Sequence, residues 1–267
     1  MELNEQLILD LKAIREKKPL IHHITNFVVM NQTANVTLAI GAQPVMAHAI
    51  DEVEEMASFA GALLLNIGTL WRELIDSMLK AGKKANQLGV PVVLDPVGAG
   101  ATKLRIEATK RILGEVKVDI LRANLAEALS CADIKADIIG VDSRESEAAA
   151  FEKANEAARK LKTTIAVTGK TDIIIGGGKT LLCDNGDALL GRVTGTGCSA
   201  STSVACFAAV EKDFALAASF GIAYYALAGE LAAKEAKGVG SFETVLRDKL
   251  FTIGEKEIKE HLKLKNL

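Results

Sequence analysis

A chain of 267 residues, 49% of them hydrophobic, can bury a large α/β core in one domain or two small ones. Only 4% of residues are aromatic, and an apolar content carried by Ala, Val, Ile and Leu suits buried parallel strands covered by helices. The formal net charge of -2 is spread without a basic block, which argues against a nucleic-acid or acidic-membrane partner.

The first stretch, MELNEQLILDLKAIREKKP, mixes acidic with apolar residues and reads as an amphipathic helix, not a signal peptide. No other segment reads as long and apolar enough to cross a bilayer. Cys131, Cys183, Cys198 and Cys206 form no CxxC pair and no Cys/His zinc spacing, so a reduced, cytoplasmic protein is expected.

Along the chain, short β-rich runs at Pro19–Ile24, Gln43–Met46, Ala62–Ile67, Pro91–Leu94, Ile120–Arg122 and Thr164–Thr168 alternate with helical stretches. That alternation predicts an α/β fold with a mainly parallel sheet. TDIIIGGGKTLLCDNG, with β-rich runs around a glycine triplet, predicts an antiparallel hairpin at a sheet edge. The last third turns helical and finishes in a Lys/Glu-rich helix. With no repeat, low-complexity tract or long linker, one domain over residues 1–267 is the simplest organisation.

Open parallel sheets bind ligands beyond the carboxyl ends of their strands, so the residues that follow each strand carry the functional signal. In VTGTGCSASTSVACFAAV, Gly195, Thr196 and Gly197 precede a helical run, where a tight turn leaves amides free to face an anion. A plain glycine-rich helix start reads equally well, and the Walker pattern is absent because no Lys-Ser or Lys-Thr follows. In PVVLDPVGAGAT, Asp95 closes an apolar strand and suits magnesium, or merely opens a turn before Pro96. In ILRANLAEALS, Asn124 and Glu127 could face one site, although an N-cap with its capping-box acid is the simpler reading. In TIAVTGK, Thr168 could offer its hydroxyl to a nucleotide phosphate.

Together these stretches, with HHITNFVVMNQTANVTLAIGAQPVMA and LLLNIGTL before them, resemble the hydroxyethylthiazole kinase branch of the ribokinase-like superfamily over essentially the whole chain. The resemblance implies an αβα sandwich without a separate lid domain, ATP as phosphoryl donor, magnesium, and a thiazole alcohol as acceptor. It implies substrate roles for Met46, Gly195 and Asn26, ATP contacts from Arg122, Thr168 and Asn124, and magnesium organised by Asp95 and Glu127. The Gly195, Thr196 and Gly197 backbone becomes an anion hole for the transferring phosphoryl group. Where the family commonly has Gly before the N-x-x-E asparagine, Ala123 stands here. A homotrimer is implied as well, with a neighbouring subunit enclosing the thiazole near HHITNF.

Cys198 occupies the position where most ribokinase-like kinases carry an aspartate base. A helix N-terminus favours the thiolate, whose reference pKa is about 8.5, while ATP phosphates oppose it, so the thiol is expected to orient the hydroxyl and assist proton removal weakly. His22 and His23 point to opposite faces of a strand and share no metal, Cys206 reads as core, and Trp71 reads as helix packing. A ribokinase-like dehydratase and a catalytically silent nucleotide sensor are the competing readings. The first is opposed by the wording of HHITN and VTGTGC, the second by the retained Asp95, Glu127 and glycine loop.

Overall fold

β-branched and leucine-rich runs of about five residues, each followed by an amphipathic helix, can pair only through crossovers, which makes their pairing parallel. The computed structural model describes residues 2–134 and 147–267. Its first half contains α1 (Leu3–Lys17), β1 (Leu20–Ile24), α2 (Met30–Ile40), β2 (Gln43–Val45), α3 (Val53–Phe59), β3 (Ala62–Asn66), α4 (Arg72–Leu88), β4 (Val92–Asp95), α5 (Lys103–Glu115), β5 (Ile120–Asn124) and α6 (Leu125–Cys131). The second half contains α7 (Glu147–Leu161), β6 (Thr164–Thr168), β7 (Asp172–Gly176), β8 (Lys179–Cys183), α8 (Thr196–Ala208), α9 (Phe214–Glu235), α10 (Val239–Thr252), α11 (Glu255–His261) and β9 (Leu264–Asn266).

These strands form one nine-stranded sheet in the order β2-β1-β3-β4-β5-β6-β7-β8-β9. Pairing is parallel from β2 to β6 and antiparallel from β6 to β9. Helices cover both faces, and the period-two alternation of the strands feeds both cores. In β3, Ala62 and Leu64 join the cluster under α1, α2, α8, α9 and α10, whereas Leu63 and Leu65 join the one under α3 to α7.

The first cluster contains an unusually close helix contact. Gly221 of α9 lies against α8 so tightly that a Cβ there would sit 2.5 Å from the Val204 Cα and 2.6 Å from its amide nitrogen. Only a residue without a side chain permits that approach, and it fixes α8 against α9 backbone to backbone.

Three expectations are corrected. The Asp172–Gly176 and Lys179–Cys183 hairpin is not the sheet edge, because β9 adds antiparallel to β8. The chain therefore finishes beyond its Lys/Glu-rich helix, in a three-residue strand. α9 is long and apolar enough to cross a membrane by composition, but 78% of its apolar window is buried inside the protein, where it serves as a core helix.

Candidate active site

Parallel register brings the ends of β3 and β4 side by side, with Asn66 opposite Asp95, and the ends of β5 and β6 likewise, with Asn124 opposite Thr168. α8 starts in front of this row. Gly195 takes φ +80° and accepts from the Ser199 amide at 2.9 Å, and no side chain caps the helix. The first amides of α8 have no intrahelical acceptor, so this end offers donors and a positive dipole to an anion. A Cβ on Gly195 would meet Gln32 Oε1 at 2.3 Å and Val29 Cγ1 at 2.7 Å, and one on Gly197 would meet the Arg122 guanidinium at 3.0 Å. Thr196 turns its hydroxyl away and donates to the Leu190 carbonyl at 2.7 Å.

On one side of the α8 start lies a buried knot organised by Asn66, a residue the sequence reading passed over. Its Nδ2 donates to Asp95 Oδ2 at 2.9 Å and to Cys198 Sγ at 3.2 Å. Its Oδ1 accepts from Asn26 Nδ2 at 2.7 Å and from the Gly68 amide at 2.9 Å. Asn26 Nδ2 also approaches Cys198 Sγ at 3.6 Å. Ser201, one turn into α8, donates to Asp95 Oδ2 at 2.8 Å. Arg105 binds the carbonyls of Ile67, Gly68 and Val97, tying the loop after β3 to the loop after β4. Asn66 ends LLLN as Asp95 ends VVLD, so a polar residue closing an apolar strand was the available signal. Ser201 and Arg105 carried none.

The electrostatics follow from burial. Asp95 is fully buried, and desolvation raises its carboxyl above the ordinary range against the opposing pulls of Arg122, Ser201 and Asn66. Burial, then the Asp95 charge, pushes the Cys198 thiol up to about 11. The expected balance at Cys198 is thus displaced toward the protonated thiol, because desolvation and a neighbouring carboxylate outweigh the two asparagine amides and Arg122.

On the other side, Arg122 Nη2 donates to Thr168 Oγ1 at 2.7 Å, and Arg122 Nη1 stands 3.7 Å from Asp95 Oδ1. A cavity of about 590 Å³ opens here, lined by Arg122, Thr168, Thr196 and Gly197 and by residues of the 184–191 segment and α9. Asn124 and Glu127 form the capping box of α6: Asn124 Oδ1 accepts from the Glu127 amide, and Glu127 Oε2 from the Asn124 amide. Glu127 Oε1 accepts from the Gly98 amide at 2.8 Å, so this carboxylate also fixes the glycine loop after β4. Met46 follows the edge strand β2 and lies outside the knot, but its segment is stitched to the one that carries Asn26. His22 Nε2 lies 2.7 Å from the Ala47 carbonyl, and His48 Nε2 lies 3.0 Å from both the amide and the carbonyl of Thr25. His22 and His23 have separate partners, and Cys206 is core. Trp71 stacks on Phe27 at 5.1 Å, so it packs on the Asn26 segment as well as opening α4.

Magnesium normally takes one or two carboxylates and fills its shell with phosphate and water oxygens. The residues present fit that demand: Asp95 Oδ1 is buried without a hydrogen-bond partner, and Glu127 is half-buried beside the same loop. Among the described residues no group of three or more His, Cys, Asp or Glu side chains could hold a metal alone. The pattern therefore suits an ion that arrives with phosphate.

A mainly parallel sheet between helical layers, with an uncapped helix start between a carboxylate knot and a cavity that carries Arg122, defines a ribokinase-like phosphotransferase. Fold comparison agrees, with a TM-score of 0.63 to a ribokinase-like superfamily protein from Enterococcus faecalis at 12% identity, covering 88% of this chain and 87% of that one. The family model for the hydroxyethylthiazole kinase family matches residues 11–256, and the chain belongs to that family. It is 52% identical over 268 residues to the hydroxyethylthiazole kinase of Desulfosudis oleivorans, covering 100% of this chain and 98% of that protein. A solved hydroxyethylthiazole kinase from Pyrococcus horikoshii superposes with a TM-score of 0.90 at 43% identity, covering 98% and 99% of the two chains.

Proposed function

We propose that the protein transfers the terminal phosphoryl group of ATP, with magnesium, to the hydroxyl of 5-(2-hydroxyethyl)-4-methylthiazole, giving the thiazole phosphate used to make thiamine phosphate. The observation that carries this reading is the uncapped start of α8, set between the Asn66 knot and the Arg122 cavity. The alcohol oxygen forms the new bond to phosphorus while the bond to the bridging oxygen breaks and ADP leaves, and the hydroxyl proton passes to a phosphate oxygen or to water. Such a transfer asks mainly for positioning and charge neutralisation.

The amides of Gly195, Thr196, Gly197 and Cys198 receive the negative charge of the transferring group. Arg122 and Thr168 hold the nucleotide phosphates, and Asn124 acts at this site through the loop that its capping box sets. Asp95 and Glu127 would hold magnesium, which would neutralise phosphate charge. Asn26, Met46 and Gly195 shape the acceptor pocket. Cys198, whose thiol burial pushes up to about 11, orients the hydroxyl and assists proton removal only weakly. One domain does this work within a cytoplasmic homotrimer, whose neighbouring subunit closes over Phe27 and Val28, each 63% exposed beside the knot.

The deciding experiment incubates purified protein with ATP, magnesium and either the thiazole alcohol or hydroxymethylpyrimidine, and identifies products by mass. A phosphorylated thiazole alcohol is the expected product. No mass gain on either alcohol would overturn the reading. Light scattering tests the assembly, and a monomer fully active on dilution would remove the trimer.

A further inference from the structure

The cavity beside Arg122 is graded along the sheet edge. Successive strands present Arg122 on β5, Thr168 on β6 and Asp172 at the start of β7, and all three line it. Arg122 reaches across to the Thr168 hydroxyl on β6, and Asp172 follows on the next strand, about 4.8 Å further along the sheet. The rest of the lining is mixed, with Leu190, Ile222 and Ala226 beside Lys170, Asp184, Asn185 and Asp187.

Asp172 is 7% exposed. One of its oxygens, Oδ1, accepts from the Gly169 amide at 3.0 Å, and the other has no hydrogen-bond partner among the described residues. That second oxygen is not among the buried atoms without a partner, so it is open to the cavity and available to a ligand donor. Burial pushes the group up to about 7, opposed by the Gly169 amide and by Arg122. In its ionised form it accepts only, and so do phosphate oxygens. A nucleoside triphosphate offers neutral donors one step past its phosphates, at the sugar.

We propose that Asp172 receives a ribose hydroxyl of the nucleotide and so selects ribonucleotide over deoxyribonucleotide donors. The proposal rests on the ATP reading above. Its location fits: Asp172 lies one strand past Thr168, which Arg122 holds at the phosphate site, and the sugar is the part of the nucleotide that follows its phosphates. Gly169, which donates to the same carboxylate, also holds the turn after Thr168, so the sugar contact is in fixed register with the phosphate contact.

The test measures steady-state phosphorylation of the thiazole alcohol with ATP, 2′-deoxy-ATP, 3′-deoxy-ATP and inosine triphosphate. For the wild type, one deoxy nucleotide should show a KM roughly 10-fold above that of ATP with kcat within about 2-fold, the effect of one hydrogen bond to a carboxylate. Asp172→Asn keeps an oxygen for Gly169 but replaces the free acceptor with a donor. Its ATP KM should rise by a similar factor, and its discrimination against the deoxy nucleotide should vanish. Asp172→Ser, with thermal melting measured alongside, covers a failure of the asparagine variant to fold. Equal KM for ATP and both deoxy nucleotides in the wild type would overturn the proposal while leaving the ATP reading intact. So would a penalty that appears only with inosine triphosphate, which places Asp172 at the base, or discrimination that survives both substitutions. No turnover with ATP at all would remove both readings together.

Discussion

The two flanks of the α8 start are built in opposite ways. The flank that the proposed function gives to the acceptor is closed: Asn26, Asn66, Asp95, Cys198 and Ser201 are joined by hydrogen bonds, and Asn66 has both oxygen and nitrogen engaged. The other flank, assigned to the nucleotide in the proposed function, is open: a cavity of about 590 Å³ lined by the hydrogen-bonded Arg122 and Thr168 and by loop residues. A site in which the acceptor pocket is set before substrate arrives, while the nucleotide side leaves room for a large ligand to enter and depart, places chemistry in one flank and affinity in the other. Substitutions on the acceptor flank should then appear in kcat, and those on the donor flank in KM.

The largest effect is expected at Asp95, which belongs to the knot and faces Arg122 across the boundary. Asp95→Asn should lower kcat by about 10³-fold, the scale seen when a preorganised electrostatic group is lost. Raising magnesium should recover part of that loss. Loss of the buried partner of Arg122 will also lower the melting temperature, so turnover is to be read on protein shown folded by circular dichroism. Wild-type rates at limiting magnesium would contradict the assignment.

Asn66→Ala comes next, with kcat down by about 100-fold and KM for ATP within about 2-fold, because it releases Asp95, Cys198 and Asn26 together. If KM for ATP moved instead, the two flanks would not be separable. Cys198→Ala should cost only about 10-fold, below the usual range for a positioned base, and Cys198→Asp should remain active. The pH profile sharpens this point: with a thiol near 11, the wild-type rate should show no ionisation limb from Cys198 between pH 7 and 9. Alkylation of Cys198 at pH 8 should run roughly 100-fold slower than for a free cysteine of pKa about 8.5. Fast alkylation would restore the thiolate. The smallest effect is Thr168→Val, which removes the hydroxyl that accepts from Arg122 and should raise KM for ATP about 5-fold at unchanged kcat.

Which parts were legible in the sequence follows the same physics. Apolar runs ending in a polar residue marked β3 to β6 within a residue or two, and put Asp95 and Thr168 at the sheet mouth. The small-residue helix after Gly195 was legible because glycine there leaves few alternatives to a turn. Asn66 was not read, because its meaning depends on parallel register: only when β3 and β4 align does its amide meet Asp95. Ser201 and Arg105 act through contacts made 106 and 37 to 38 residues away in sequence, which no local pattern encodes. β9 was missed since three residues, Leu-Lys-Asn, carry no alternation. α9 escaped notice as a span-length apolar helix, and only tertiary packing tells a buried core helix from a membrane span of similar composition.

The contact between Gly221 and Val204 bears on how the site can move. Val204 lies eight residues after Thr196 on α8, roughly 12 Å along the axis, so α8 is pinned about two turns behind its anion-facing end. A helix held backbone to backbone there behaves as a fixed post. The phosphoryl group must be delivered to it, and any closure over the ligands falls to the open side, the Asp184–Gly191 stretch that lines the cavity. The enzyme therefore has a stationary wall at α8 and an adjustable one across the cavity. A side chain added at position 221 would displace the stationary wall from a distance, disturbing catalysis without touching either substrate.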